Sequence, residues 1–134
     1  MIKVVLDTNI IISGLNFPKG KPAQILELLA YGVIRNFISE SILEETAKIL
    51  GEKFFWEKEK TKSAKLLNIF SKNIKPKNRL HIIPHQADNR IIECAVAGKV
   101  DFIISGDKHL LGIGVYRNIK IVTPDELLKR VLGQ

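Results

Sequence analysis

The 134-residue chain has one cysteine, Cys94, so no disulfide can close within it. No apolar run approaches the ~18–20 residues that span a bilayer. Met1 leads straight into an apolar, strand-like run, leaving no room for a secretory leader. These absences predict a cytoplasmic protein. No Cys/His spacing suits zinc, and His81, His85 and His109 read as isolated loop or edge histidines. Neither common glycine-rich phosphate loop occurs, nor any repeat or low-complexity tract. What is present is a 46% hydrophobic composition. That is too apolar for disorder and enough for one domain with a real core, spanning residues 1–134.

The formal net charge is +7, and it is unevenly spread. Residues 52–79 hold nine lysines and arginines against three glutamates. Such a patch attracts a phosphate backbone or an acidic protein. A solvated, lysine-rich helix face is the plainer reading. Lys58, Lys62 and Lys65, with Lys108 farther along, are candidate nucleic-acid contacts. The cluster Phe54-Phe55-Trp56 offers rings for base stacking, although core packing is the commoner use of such residues.

Hydrophobic patterning predicts strands at 2–6, 33–38, 80–83, 101–105 and 120–122. Helices are predicted at 9–15, 22–31, 39–50, 57–73, 88–97 and 124–132. The alternation implies a mostly parallel sheet of about five strands, with helices on both faces. Ligands in such sheets bind at the carboxyl edge, so acids just after strands carry the most information.

Asp7 ends the first apolar run, and Asp107 follows Phe102-Ile103-Ile104-Ser105-Gly106. Gly106 permits a tight turn or a close backbone approach there. Asp88 opens its helix in the same row as Ile91, Ile92 and Ala95. An N-cap aspartate is the plain reading of Asp88, and reaching into a site is the other. After the second strand, Ser41-Ile42-Leu43-Glu44 fits a capping box, which gives Glu44 a structural use. Glu45 lies slightly nearer the apolar border. Thr123-Pro124-Asp125-Glu126 is another capping box, and Asp101 belongs to the opposite sheet edge. Four acids remain, Asp7, Glu45, Asp88 and Asp107, each after a different strand. Carboxylates brought together repel unless a cation offsets them, and oxygen-only donors suit Mg²⁺ or Mn²⁺.

Four segments carry a family resemblance. They are Val4-Val5-Leu6-Asp7-Thr8-Asn9, Ser39 with Glu45 six residues on, Asp88-Asn89-Arg90-Ile91-Ile92-Glu93-Cys94-Ala95, and Ile104-Ser105-Gly106-Asp107-Lys108-His109-Leu110-Leu111. In this order they resemble PIN-domain nucleases, and more closely the PIN-domain toxins of prokaryotic toxin–antitoxin pairs. The resemblance spans nearly the whole chain. It implies a three-layer α/β/α sandwich and Mg²⁺- or Mn²⁺-dependent endonucleolytic cleavage of RNA, leaving 5′-phosphate and 3′-hydroxyl ends. It carries over Asp7, Glu45, Asp88 and Asp107 as the catalytic, metal-binding acids, with supporting hydrogen-bond roles for Asn9 and Ser105. An acidic antitoxin partner and a homodimer are implied on the same footing. His109 is a departure, because relatives often have an acid there. The basic segment 52–79 has no residue-by-residue match.

Two other functions fit parts of the chain. An aspartyl-phosphate phosphatase would use Asp7 as nucleophile, but that chemistry usually needs a second acid where Asn9 stands. A non-catalytic basic RNA- or protein-binding module would leave all four acids as caps and turn residues.

Overall fold

The computed structural model describes residues 1–53 and 71–133. Its elements in chain order are β1 (Ile2–Leu6), α1 (Thr8–Asn16), α2 (Lys21–Ala30), β2 (Ile34–Ile38) and α3 (Glu40–Lys53). Then come β3 (Ser71–Asn73), α4 (Gln86–Gly98), β4 (Phe102–Ile104), α5 (Lys108–Ile113), β5 (Val115–Tyr116), β6 (Ile119–Val122) and α6 (Pro124–Leu132). Six strands form one sheet in the order β3-β2-β1-β4-β6-β5. All pairings are parallel except the β5–β6 hairpin. The expected α/β sandwich with a mostly parallel sheet is therefore present. Among the described residues, no helix is long and apolar enough to cross a membrane.

The sheet is central because its two middle strands, β1 and β4, are buried on both faces near their carboxyl ends. Val4, Val5, Leu6, Ile103 and Ile104 are essentially inaccessible to solvent. Burying each such side chain contributes roughly 1.5–3 kcal/mol. Helix α4 packs across β1, β2 and β4 and presents Ile91, Ile92, Cys94 and Ala95 to them. Gly98 is a close-approach position, since a Cβ there would sit 2.9 Å from the Phe37 ring.

The chain leaves β1 toward β2 and leaves β4 toward β6, so the winding reverses between these two neighbours. In open parallel sheets this reversal opens a crevice at the carboxyl edge, where ligands bind. Asp7 and Ser105 stand at that point. Leu6 pairs with Ile104 in register, so the residues that follow them emerge side by side.

The third strand differs from expectation. It is Ser71–Asn73, not 80–83, and these residues belong to an edge strand instead of the end of a helix. The remainder of the predicted helix, with Phe54-Phe55-Trp56 and Lys58, Lys62 and Lys65, lies outside the described residues. Ser-Lys-Asn carries no apolar signal, because an edge strand needs little burial. The segment 80–83 is a loop whose backbone is satisfied by α4 side chains. Leu80 N–H donates to Glu93 Oε2 at 2.7 Å. Ile82 and Ile83 N–H both donate to Asn89 Oδ1, and Asn89 Nδ2 returns a bond to Ile83 O.

Smaller differences have equally local causes. Ser39, not Ser41, caps α3, through Ile42 N–H to Ser39 Oγ at 3.4 Å, so no capping box engages Glu44. Gly106 has open space around its missing Cβ and no positive φ, so neither a left-handed turn nor a close approach demands it. The two-residue strand β5 and the short helix α5 went unpredicted. The β5–β6 turn places Arg117 and Asn118 at φ 46° and 67°, the left-handed pair of a tight hairpin.

Asn36 ties three strands together inside the sheet. Its Oδ1 accepts from Leu6 N–H at 3.1 Å, and its Nδ2 donates to Ser71 Oγ at 2.9 Å. Asn36→Ala strands a buried N–H one residue before Asp7. The expected loss in urea denaturation is about 1–3 kcal/mol. A change within about 0.5 kcal/mol, typical of surface positions, would contradict this role.

Candidate functional site

Three acids come together at the carboxyl edge of the sheet. Asp7 is the N-cap of α1, and its Oδ1 accepts from Asn9 N–H at 3.4 Å. Asp107 is the N-cap of α5, and its Oδ1 accepts from His109 N–H at 2.6 Å. Asp88 lies in the first turn of α4, whose N-cap is His85, so the simple capping reading of Asp88 does not hold. Asp7 and Asp88 are only 4% and 6% exposed.

Ser105 joins two of these acids. Its Oγ donates to Asp7 Oδ2 at 2.7 Å and accepts from Asp107 N–H at 3.0 Å. Ser105 itself is fully buried, and its N–H is held by Val122 O. The hydroxyl thus fixes the Asp7 carboxylate and the turn that carries Asp107 in one arrangement. Asn9, expected to support the site, uses its backbone N–H for Asp7, while the residue itself is exposed.

The proximity acts on the ionisation of two of these acids. Burial pushes the Asp7 carboxyl above the usual carboxylate range, and the bonds from Ser105 and Asn9 oppose it. The charges of Asp88 and Asp107 raise it further. Asp88 is raised by burial first and by Asp107 second, with the His85 and His109 rings opposing. The His85 ring Nδ1 stands 3.2 Å from Asp88 Oδ2. His85 is therefore not the isolated histidine expected, and its spacing of three before Asp88 across a helix start is the sequence signal for the pair.

Glu45 is less closely tied to the group. It is half-buried in the second turn of α3, while Glu44 is exposed. The charges acting on Asp7 come from Asp88 and Asp107, and those acting on Asp88 come from Asp107 and the two histidines. Lys108 is exposed beside Asp107, at the start of α5. Glu93, equally buried, has a structural use, since it pairs with Arg90 at 3.1 Å and holds the loop at Leu80.

The donor set fits a hard cation. Every donor is a carboxylate oxygen, and two of the carboxylates are buried beside like charge, a cost that a bound cation offsets. Among the described residues, no three His, Cys, Asp or Glu side chains are already arranged to hold a metal ion, so side-chain adjustment would accompany binding.

The raised carboxyls make a stability prediction. A carboxyl raised in the folded state binds its proton more tightly folded than unfolded. Folding stability therefore falls as pH rises from the ordinary carboxylate value through the raised one, and the full cost is present at neutral pH. Asp88→Asn should then raise the Tm in divalent-free buffer at pH 7, with the gain shrinking in acid. Excess Mg²⁺ should reverse the order by stabilising the wild type alone. A variant less stable than wild type in divalent-free buffer would show that the site carries no such repulsion.

A PIN-domain family model matches residues 3–109, from β1 through Asp107 to the start of α5. An uncharacterized protein of Methanocaldococcus jannaschii is 35% identical over 96% of this chain and 90% of its own length. The fold is similar to a chain in the crystal structure of VapBC2 from Rickettsia felis bound to a DNA fragment from their promoter, with a TM-score of 0.60. That likeness covers 91% of this chain and 98% of the other at 20% identity. A family match that starts in β1 and ends just past the last of the clustered acids makes this chain a member of the PIN-domain family.

Proposed function

We propose that this chain is a divalent-metal-dependent endoribonuclease and the toxin of a toxin–antitoxin pair. One observation carries the reading: at the point where the sheet reverses its winding, Ser105 links buried Asp7 to the turn of Asp107, beside buried Asp88. Family membership supports nuclease chemistry at that place.

In this reading Asp7, Asp88 and Asp107 would hold Mg²⁺ or Mn²⁺, and Glu45 would hold a second ion or orient the attacking water. Bound there, the metal would supply an activated water at neutral pH and offset charge on the phosphate. Water adds to phosphorus, the P–O3′ bond breaks, and the 3′ oxygen leaves with a proton. The products are a 5′-phosphate and a 3′-hydroxyl. Ser105 keeps Asp7 oriented, and its bond to Asp107 N–H sets the spacing of the two acids. Asn9 supports Asp7 through the start of α1. Lys108, with Lys58, Lys62 and Lys65, contacts the RNA backbone. An acidic antitoxin covers the basic surface in the inhibited state, a partner whose existence is supported by the likeness to a chain of the VapBC2 structure. A homodimer belongs to the same proposal, and so does a cytoplasmic location.

Cleavage of a single-stranded RNA with Mg²⁺ or Mn²⁺ tests this. Asp7→Asn should lower kcat at least about 100-fold, as the loss of a preorganised charge does. Ser105→Ala should cost about 10–100-fold in activity or metal affinity, and much of that should return at high Mg²⁺. Cleavage that survives EDTA, or is equal in wild type and Asp7→Asn, would remove the proposal.

A further inference from the structure

The loop after β3 carries a cluster of cations that the proposed chemistry does not use. Lys75, Lys77 and Arg79 are exposed within five residues. None of them pairs with a carboxylate among the described residues. They line a groove of about 500 Å³, together with Ser39 and Asn73. Glu40 is the exposed carboxylate in that lining; Glu93 is buried and already paired with Arg90.

The cationic loop is held firmly at both ends. Ile74 N–H donates to Ile38 O at 2.9 Å, extending the β2–β3 pairing past the strand. Leu80 is fixed by Glu93 Oε2 on its N–H and by Arg90 Nη2 on its carbonyl. Both anchors are on α4, the helix whose first turn carries Asp88. The backbone that carries the cations is therefore anchored before any ligand arrives, which lowers the part of the ordering cost that falls on the loop. Ser39 follows the last residue of β2, and Asn73 ends β3. The groove thus opens at the carboxyl ends of β2 and β3, on the edge where Asp7 follows β1 and Asp107 follows β4.

We infer that this groove is the track for the RNA strand on one side of the cleaved bond, with Lys75, Lys77 and Arg79 contacting successive phosphates. The inference rests on the ribonuclease reading and adds a direction: substrate crosses the carboxylates and runs toward the β3 edge of the sheet. Glu40 opposes binding there and restrains affinity for any polyanion.

The test compares two triple variants of equal charge. One is Lys75→Gln/Lys77→Gln/Arg79→Gln. The other, Lys3→Gln/Lys99→Gln/Lys120→Gln, removes three exposed lysines around the amino ends of β1 and β4 and in β6. Binding of a fluorescent single-stranded RNA is measured against salt, and cleavage of the same RNA is measured with Mg²⁺. Folding of each variant is checked by its urea midpoint. The groove variant should lose about 10-fold or more in affinity, and its log–log salt slope should flatten by about 2, as expected when three phosphate contacts are lost from a single strand. The other variant should lose clearly less, and Glu40→Gln should bind more tightly than wild type. Equal losses in the two triple variants would show that net charge alone acts, and would overturn the inference. So would strong competition for the groove by poly-glutamate with no change in RNA binding by the groove variant, which would assign it to an acidic protein. If wild type cleaves RNA while the groove variant keeps its affinity and slope, only this inference falls. If wild type neither binds nor cleaves RNA, the ribonuclease reading falls with it.

Discussion

The hydroxyl of Ser105 is the smallest group on which the geometry of the acidic edge depends. It sits between two strands whose windings run in opposite directions, and it serves both. As donor it holds the carboxylate after β1; as acceptor it holds the backbone of the turn after β4. A threonine at that position would keep the hydroxyl but add a methyl to a fully buried site. An alanine would leave one oxygen of a buried carboxylate and one turn N–H without partners. The register of β1 on β4 brings the two groups within reach, and that register is fixed by buried aliphatic residues on both strands.

The same edge carries a cost that the fold bears elsewhere. Two buried carboxyls pushed above their ordinary range, with a third carboxylate nearby, destabilise the folded chain at neutral pH. The compensation is structural. Two of the three acids also cap helices, and the third is beside a histidine. The aliphatic core beneath supplies the burial that holds these charges in place. Local rules of sequence–structure agreement tend to be broken where function requires it, and this edge follows that pattern.

Much of this was legible in the sequence, for identifiable reasons. Buried parallel strands are rich in β-branched and other apolar residues, so β1, β2, β4 and β6 stood out, and the acids after β1 and β4 stood out with them. The α6 cap was legible because Thr123, Pro124 and Glu126 carry a local signal, and the bonds between Thr123 and Glu126 are present. The strand β3 was not legible, because an edge strand of Ser-Lys-Asn is specified by its partner Asn36 instead of its own hydrophobicity. The apolar segment Leu80–Ile83 imitated a strand because it packs on the core while its backbone is bound by Asn89 and Glu93, a tertiary effect invisible in the local pattern. The grouping of Asp88 with Asp7 and Asp107 followed from topology, whereas Glu45 had no equally strong local signal and remains the acid least closely tied to the others.

The central claim is that Asp7, Asp88 and Asp107 form one cation site. The most direct measurement is a crystal of this chain soaked in Mn²⁺, with diffraction recorded at an energy where manganese scatters anomalously. The account predicts one anomalous peak among these three side chains, lost in Asp7→Asn. Manganese bound only elsewhere, or an unchanged peak in Asp7→Asn, would contradict it.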